Sequence, residues 1–300
     1  MPCQPNSQAG NRLQQEDARF TCYIPWCERH IRQKTVLIIL ENVVGPPLHV
    51  IYDMFKEHYY MWWVENDACD CGHSGVSRPR IYVYLLHKET GVVLHDPVAL
   101  YHELARVLRK TIRTTPKDYF CATDREVICE AMTTAATRNL LFQDGCLDLT
   151  YLLTPREKGV VDILCREYWS KFSQDPTQDG NLVMFLGDNP GYATTWSAVS
   201  QKIPCFRNNK GFYWIPSKKR WMTVREKLSC LGLPVDSSVC ETMATPPIQF
   251  RDAHRASSLI GNSMHLGSVC LAELVGLVSF GKRTTVAEAG QLAQEGQQHR

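Results

Sequence analysis

Long apolar runs are missing from this 300-residue chain. Its two most apolar stretches, TVLIILENVVG and CLAELVGLVSF, are short and each carries a glutamate, so no membrane-spanning helix and no membrane partner is expected. Residues 1–20 hold no apolar core of the kind a secretory signal needs. A dominant charge is also missing. The net charge is +2, so any surface for a polyanion has to be local. A disulfide framework is lacking as well. The thirteen cysteines are odd in number and irregularly spaced, and the chain can build a core without staples, which points to free thiols in a reducing, intracellular setting. Zinc-type repeats are absent too. Cys69-Asp-Cys71-Gly-His73 and Cys22-x4-Cys27-x2-His30 lack a repeated C-x2-C spacing, and no structural metal is expected. Finally, no G-x-G-x-x-G loop is found. Gly187 and Gly191 in LVMFLGDNPGYATTW do not supply it, and that stretch reads as a strand and a turn.

What is present reads as a globular α/β chain, 44% hydrophobic and 21% charged, long enough for one large domain or two modest ones. Thr35–Leu40 is a continuous β-branched and apolar run, which predicts a strand buried on both faces. It stops at Glu41-Asn42-Val43. A helical stretch reaches about Lys56, and further strands are predicted at Tyr59–Val64 and Ile81–Leu86. Strand, helix, strand predicts part of a layer with a largely parallel sheet. Between about 88 and 217, short helical and strand-like pieces mix with polar loops, without internal repeats. Within it, residues 201–220 hold six Lys or Arg, four aromatics and no acid. Such a segment suits a nucleic-acid backbone and unstacked bases, or else is a solvated basic loop over an aromatic cluster. Thr223-Val-Arg-Glu226 is a capping box, and Gly232 with Pro234 ends the helix it starts. A last helix is predicted over roughly 267–280, with Val269, Leu271, Leu274, Val275 and Val278 mostly in the core. The tail from Lys282 is polar and reads as mobile.

Three places could carry chemistry. Cys3 lies between Pro2 and Gln4 in a turn-prone, polar stretch, which argues for an exposed thiol. Glu41 stands at the carboxyl end of a predicted strand, where open α/β sheets keep their ligands and a carboxyl can donate a proton. Arg78-Pro79-Arg80 leads into the third strand and could contact an anion near the same sheet edge.

Taken in order, these pieces resemble the DNA cytosine-5 methyltransferases. Pro2-Cys3-Gln4 with Ser7 and Gly10 resembles the family's catalytic loop, and Asp17-Ala-Arg19 the Asp-x-Arg that follows it. Glu41-Asn42-Val43 matches the Glu-Asn-Val motif. Val76-Ser-Arg78-Pro-Arg80 resembles Gln-x-Arg-x-Arg with the glutamine lost. Thr223-Val-Arg225-Glu226, then Gly232-Leu-Pro234, and lastly Gly261-Asn262-Ser263 match the late motifs. The resemblance covers about residues 1–281. Asn6, where phenylalanine is common, and His265 and Leu266, where prolines are common, depart from it.

The resemblance implies an incomplete Rossmann-like methyltransferase sheet plus a smaller mixed α/β target-recognition region. Residues 1–87 would be the second half of the catalytic domain, 88–217 the recognition region, 218–281 a return to the catalytic domain and 282–300 the tail. The family's Phe-x-Gly-x-Gly loop would precede this stretch, so either a truncated product or a separate N-terminal half is expected. The resemblance also implies a Cys3 thiolate that adds to C6 of a flipped-out cytosine, with Glu41 holding its N3/N4 edge and Arg80, with Arg78, anchoring the cytosine or its phosphate and favouring the thiolate. The methyl donor would be S-adenosyl-L-methionine, touched here by Asn262 and Ser263. Double-stranded DNA would be the partner, touched by Gln4, Ser7, Lys218, Lys219 and Arg220, with most phosphate contacts from 201–220. The compartment would be the nucleus in a eukaryote. Two alternatives stay open: a non-enzymatic DNA-binding remnant, and a subunit that acts only when a partner brings the cofactor half.

Overall fold

The computed structural model describes residues 21–45, 48–207, 211–246, 256 and 260–283. The chain forms two compact units. One contains the segments up to Asn66, Pro79–Ala105 and the chain from Cys270. The other contains Asp67–Arg78 and Arg106–Val269. This division differs from the one drawn on the sequence, because residues 218–269 join 106–217 in a single unit.

The first unit is built on three strands. Helix α1 (Tyr23–Arg32) precedes β1 (Leu37–Val43), which α2 (Leu48–Phe55) connects to β2 (Tyr59–Asn66). After an excursion through the other unit the chain returns as β3 (Arg80–His87). The order is β1-β3-β2, and both pairings are antiparallel. This corrects the expectation of a largely parallel sheet. The β1-α2-β2 crossover does leave its two strands pointing the same way, but they are not neighbours. The reversed β3 fills the gap and takes every ladder hydrogen bond between them.

The buried strand is also a different one from that expected. β1 alternates between buried and half-buried positions, whereas β3 is buried at all eight of its residues. The centre of the sheet therefore falls on Arg80–His87, and the apolar run of β1 lies at its side. One face of the sheet carries α1 and α2, with Tyr23, Cys27, Ile38, Leu40, Ile51 and Phe55 forming the core. Short strand β4 (Gly91–Val93) follows, then α3 (Pro97–Thr111).

Helices α4 (Asp124–Arg138) and α5 (Pro155–Phe172) open the second unit. Each starts at a capping box, Thr123 with Glu126 and Thr154 with Glu157. Each ends on a left-handed residue, Asn139 and Ser173. A small antiparallel sheet follows, ordered β5 (Met184–Phe185), β6 (Tyr213–Ile215), β7 (Arg220–Trp221). Met184, Trp214 and Trp221 pack on the α4–α5 layer, while Phe185, Tyr213 and Ile215 face a second core. Helix α6 (Val224–Cys230) brings Val224 and Leu228 to that second core. Its start is as the sequence predicts. Thr223 accepts from the Glu226 amide, the Glu226 carboxylate accepts from the Thr223 amide at 2.9 Å, and Gly232 takes φ +70°. Helix α7 (Ser237–Thr242) is short.

Helix α8 (Leu266–Ser279) and strand β8 (Phe280–Lys282) end the described chain. β8 pairs with β4, so Lys282 lies in a strand rather than in the expected tail. The second face of the first unit's sheet takes the later turns of α8. Tyr84 donates its hydroxyl to the Ala272 carbonyl at 3.0 Å, and a Cβ at Gly276 would come within 2.7 Å of Ile39. Of the five residues assigned to this helix's core, Leu271 and Val275 are buried, Val269 is half-buried, and Leu274 and Val278 are exposed. The buried positions fall at helical spacing on one side only.

Candidate active site

The sheet register places Tyr82 opposite Glu41 and Val43 opposite Arg80. Side chains two apart share a face of a strand, so Glu41 and Arg80 are diagonal neighbours on one face. Their side chains meet, Arg80 Nε lying 2.8 Å from Glu41 Oε1. The guanidinium is nearly enclosed at 9% exposure and the carboxylate keeps 23%. Arg80 Nη1 also donates to the Pro79 carbonyl at 2.7 Å. Next to Glu41, Asn42 turns its Oδ1 back to accept from the Val43 amide at 2.9 Å, which fixes the end of the strand. Across β3, Asn66 lies in register with Arg80 and donates from Nδ2 to the Tyr101 hydroxyl at 3.0 Å. Asn66 was not among the expected residues. Its place beside Arg80 follows from strand register, which the sequence does not display.

Arg78 does something else. It is 1% exposed. Nη1 donates to the Phe206 carbonyl at 2.9 Å, and Nη2 donates to the carbonyls of Gly261, at 3.0 Å, and Ser263. Its own amide donates to Asp67 Oδ1 at 2.5 Å, while Lys202 Nζ meets Asp67 Oδ2 at 2.7 Å. The fork expected to contact an anion is engaged on backbone carbonyls. A guanidinium has five donors in a fixed fork, and here the fork is used on the protein itself.

Of the residues expected to touch the methyl donor, Asn262 is exposed and Ser263 half-buried, next to the two carbonyls held by Arg78. Just beyond them His265 precedes α8 and acts as its cap. Its Nδ1 accepts from the Ser268 amide at 3.1 Å. The ring is 1% exposed and stacks edge-on against His73 at 4.6 Å. Burial first, then the neighbouring His73 and Arg78, push its pKa down to about 3, with Asp67 acting the other way. His73 is also shifted down by burial, and its Nδ1 lies 2.8 Å from the Tyr119 hydroxyl.

The expected phosphate contacts separate. Lys218 and Lys219 are exposed, and Lys219 lies 3.3 Å from Asp148. Arg220 is buried. It donates from both terminal nitrogens to Glu226, at 2.8 and 2.6 Å, and that carboxylate is 0% exposed. Arg220 is therefore an internal ion pair, because the capping carboxylate of α6 needs a cation beside it. The aromatics of 201–220 point inward too: Phe206, Tyr213 and Trp214 are buried, and Phe212 stacks on Trp221 at 4.3 Å. Arg225 bridges Glu126 and Asp236. Cys3, Gln4 and Ser7 lie outside the described residues. Among the described residues no three His, Cys, Asp or Glu converge as for a metal ion, and no helix is long and apolar enough to cross a membrane.

This mixed α/β architecture is that of the Rossmann-like methyltransferases. It is similar to the Entamoeba histolytica methyltransferase EhMeth, at 14% identity and a TM-score of 0.50, over 92% of this chain and 74% of that one. It is also similar to the S. pombe Dnmt2 methyltransferase, at 13% identity and a TM-score of 0.47, over 92% and 75%. No curated protein sequence matches the chain. The family model of the C-5 cytosine-specific DNA methylases matches residues 1–264, and the chain belongs to that family.

Proposed function

We propose that the chain transfers a methyl group to C5 of a flipped-out cytosine in double-stranded DNA, with S-adenosyl-L-methionine as donor. The observation that carries this reading is the Glu41–Arg80 pair at the end of an antiparallel strand pair, within a chain of this family. Cytosine C5 is a poor nucleophile. When the Cys3 thiolate adds at C6, the ring becomes an enamine with electron density at C5. Glu41 holds the N3/N4 edge and supports protonation at N3 as the adduct forms. Arg80 fixes the Glu41 carboxylate and adds a donor beside it. S-adenosylmethionine, when bound, supplies an electrophilic methyl group. By the family resemblance Asn262 and Ser263 would contact the donor; Asn262 is exposed, and Arg78 holds the carbonyls on either side of it. Loss of the C5 proton to a base and departure of Cys3 then restore the ring. Lifting the base from the duplex costs a few kcal/mol, offset by contacts in the pocket.

The test is a denaturing gel of the chain, supplied with an N-terminal half of this family fused or in trans, with 5-fluorocytosine duplex and S-adenosylmethionine. Fluorine cannot leave as a proton, so the adduct persists as a covalent band. Cys3→Ser removes the band, since a hydroxyl ionises far less than a thiol. Glu41→Gln slows methyl transfer roughly a hundredfold. A band that survives Cys3→Ser places the nucleophile elsewhere. DNA binding without any band from the complemented chain favours a non-enzymatic DNA-binding protein.

A further inference from the structure

The cations of the second unit are not equally available. In 201–220 the acids of the fold have claimed most of them. Lys202 meets Asp67, Arg207 meets Asp188, Lys219 meets Asp148 and Arg220 meets Glu226. Residues 106–117, RVLRKTIRTTPK, present the opposite case. Between Glu103 and Asp118 there is no acid and there are five basic residues. Arg109 donates from Nε to Asp70 at 2.9 Å. Arg106, Lys110, Arg113 and Lys117 are exposed and have no carboxylate partner among the described residues.

The backbone that carries these four is held in place. Arg106 and Lys110 stand one turn apart on α3, on the side away from buried Tyr101 and Ala105. Beyond the helix the backbone is pinned. Ser74 Oγ donates to the Thr114 carbonyl at 2.7 Å, and the Gly75 amide donates to Thr114 Oγ1 at 3.1 Å. Asp118 accepts from the Thr115 amide at 2.6 Å, and the Lys117 amide donates to Asn181 Oδ1 at 3.1 Å. Gly75 allows this approach, since a Cβ there would come within 2.5 Å of the Thr115 backbone.

We infer that residues 106–117, and not 201–220, form the principal surface for the phosphate backbone of duplex DNA. Unpaired cations on a fixed scaffold gain most from phosphates, because they give up no protein partner and release the counterions of the duplex. The choice of duplex DNA rests on the proposed function.

The experiment measures binding of the full chain to a fluorescent duplex across a salt series. Neutralising all four residues (Arg106→Gln, Lys110→Gln, Arg113→Gln, Lys117→Gln) lowers the slope of log affinity against log salt by up to about 3.6, at about 0.9 per phosphate contact. Lys218→Gln with Lys219→Gln lowers it by about one at most. Exchanging Arg106 and Arg113 for lysine keeps the slope, which separates charge from fold. An unchanged slope in the fourfold variant, a loss confined to the Lys218/Lys219 variant, or no DNA binding by the unaltered chain overturns the inference. The 5-fluorocytosine gel run in parallel keeps the two questions apart. Trapping with an unchanged slope refutes the stripe alone, and a lowered slope without trapping refutes the chemistry alone.

Discussion

His265 should make the stability of the second unit fall as the solution is acidified. Its ring is fully enclosed and its Nδ1 must stay unprotonated to accept from the Ser268 amide. Protonation would place an N–H against an N–H and a charge beside His73 and Arg78, while only Asp67 favours it. The folded pKa is about 3, against 6.5 for the free side chain. Between those values the unfolded chain binds the extra proton, so stability is complete above pH 6.5 and is lost as the pH falls toward 3. At pH 5 the gap of about 1.5 pH units from the unfolded value corresponds to about 2 kcal/mol, at 1.36 kcal/mol per unit. His73, shifted the same way, adds to the loss. The assay is urea unfolding followed by tryptophan fluorescence at pH 7 and pH 5. His265→Asn is the informative variant, because asparagine is also a good cap and does not titrate. It should keep the stability at pH 7 and lose about 2 kcal/mol less than the native chain on going to pH 5. The same acid loss in both proteins would refute the assignment.

Two further substitutions probe the scaffold. Arg220→Ala leaves the Glu226 carboxylate buried without its guanidinium, and should cost about 3–5 kcal/mol in urea unfolding while leaving the salt slope of DNA binding unchanged. Gly276→Ala drives a methyl group into Ile39 and Tyr84 and should cost about 1–3 kcal/mol, read as a lowered thermal midpoint.

The capping box at Thr223 was legible because its two residues are close in sequence and its helix carries a leucine stripe. The same signature stands at Thr123-Asp-Arg-Glu126 and Thr154-Pro-Arg-Glu157, yet that region reads as mixed pieces. The reason is the buried face of α4, which consists of Val127, Ala131 and Ala135. Two alanines and a valine do not stand out as an apolar period, though small residues are what a closely packed helix needs. The direction of β3 could not be read at all, since composition distinguishes a strand's burial but not its sense. Basic residues are visible in a sequence, whereas their partners are not. Lys202 is 135 positions from Asp67, and only the fold brings the two together.

The same limit separates Arg78 from Arg80, two identical side chains two positions apart in their motif. The sequence assigns both to the substrate. In the fold Arg80 joins a carboxylate that keeps an accessible edge, so the pair can meet a ligand without being dismantled. Arg78 keeps 1% of its surface and places its terminal nitrogens on three carbonyls, two of which flank Asn262. Any anion that took Arg78 would have to strip those carbonyls of their donors, and a buried carbonyl left without one is costly. In this fold Arg78 holds the turn around Asn262. Lysine at this position would keep the charge but could not span Phe206, Gly261 and Ser263 from one planar fork. Here the planar fork of Arg78 suits three carbonyls, and Arg80 takes its place beside Glu41.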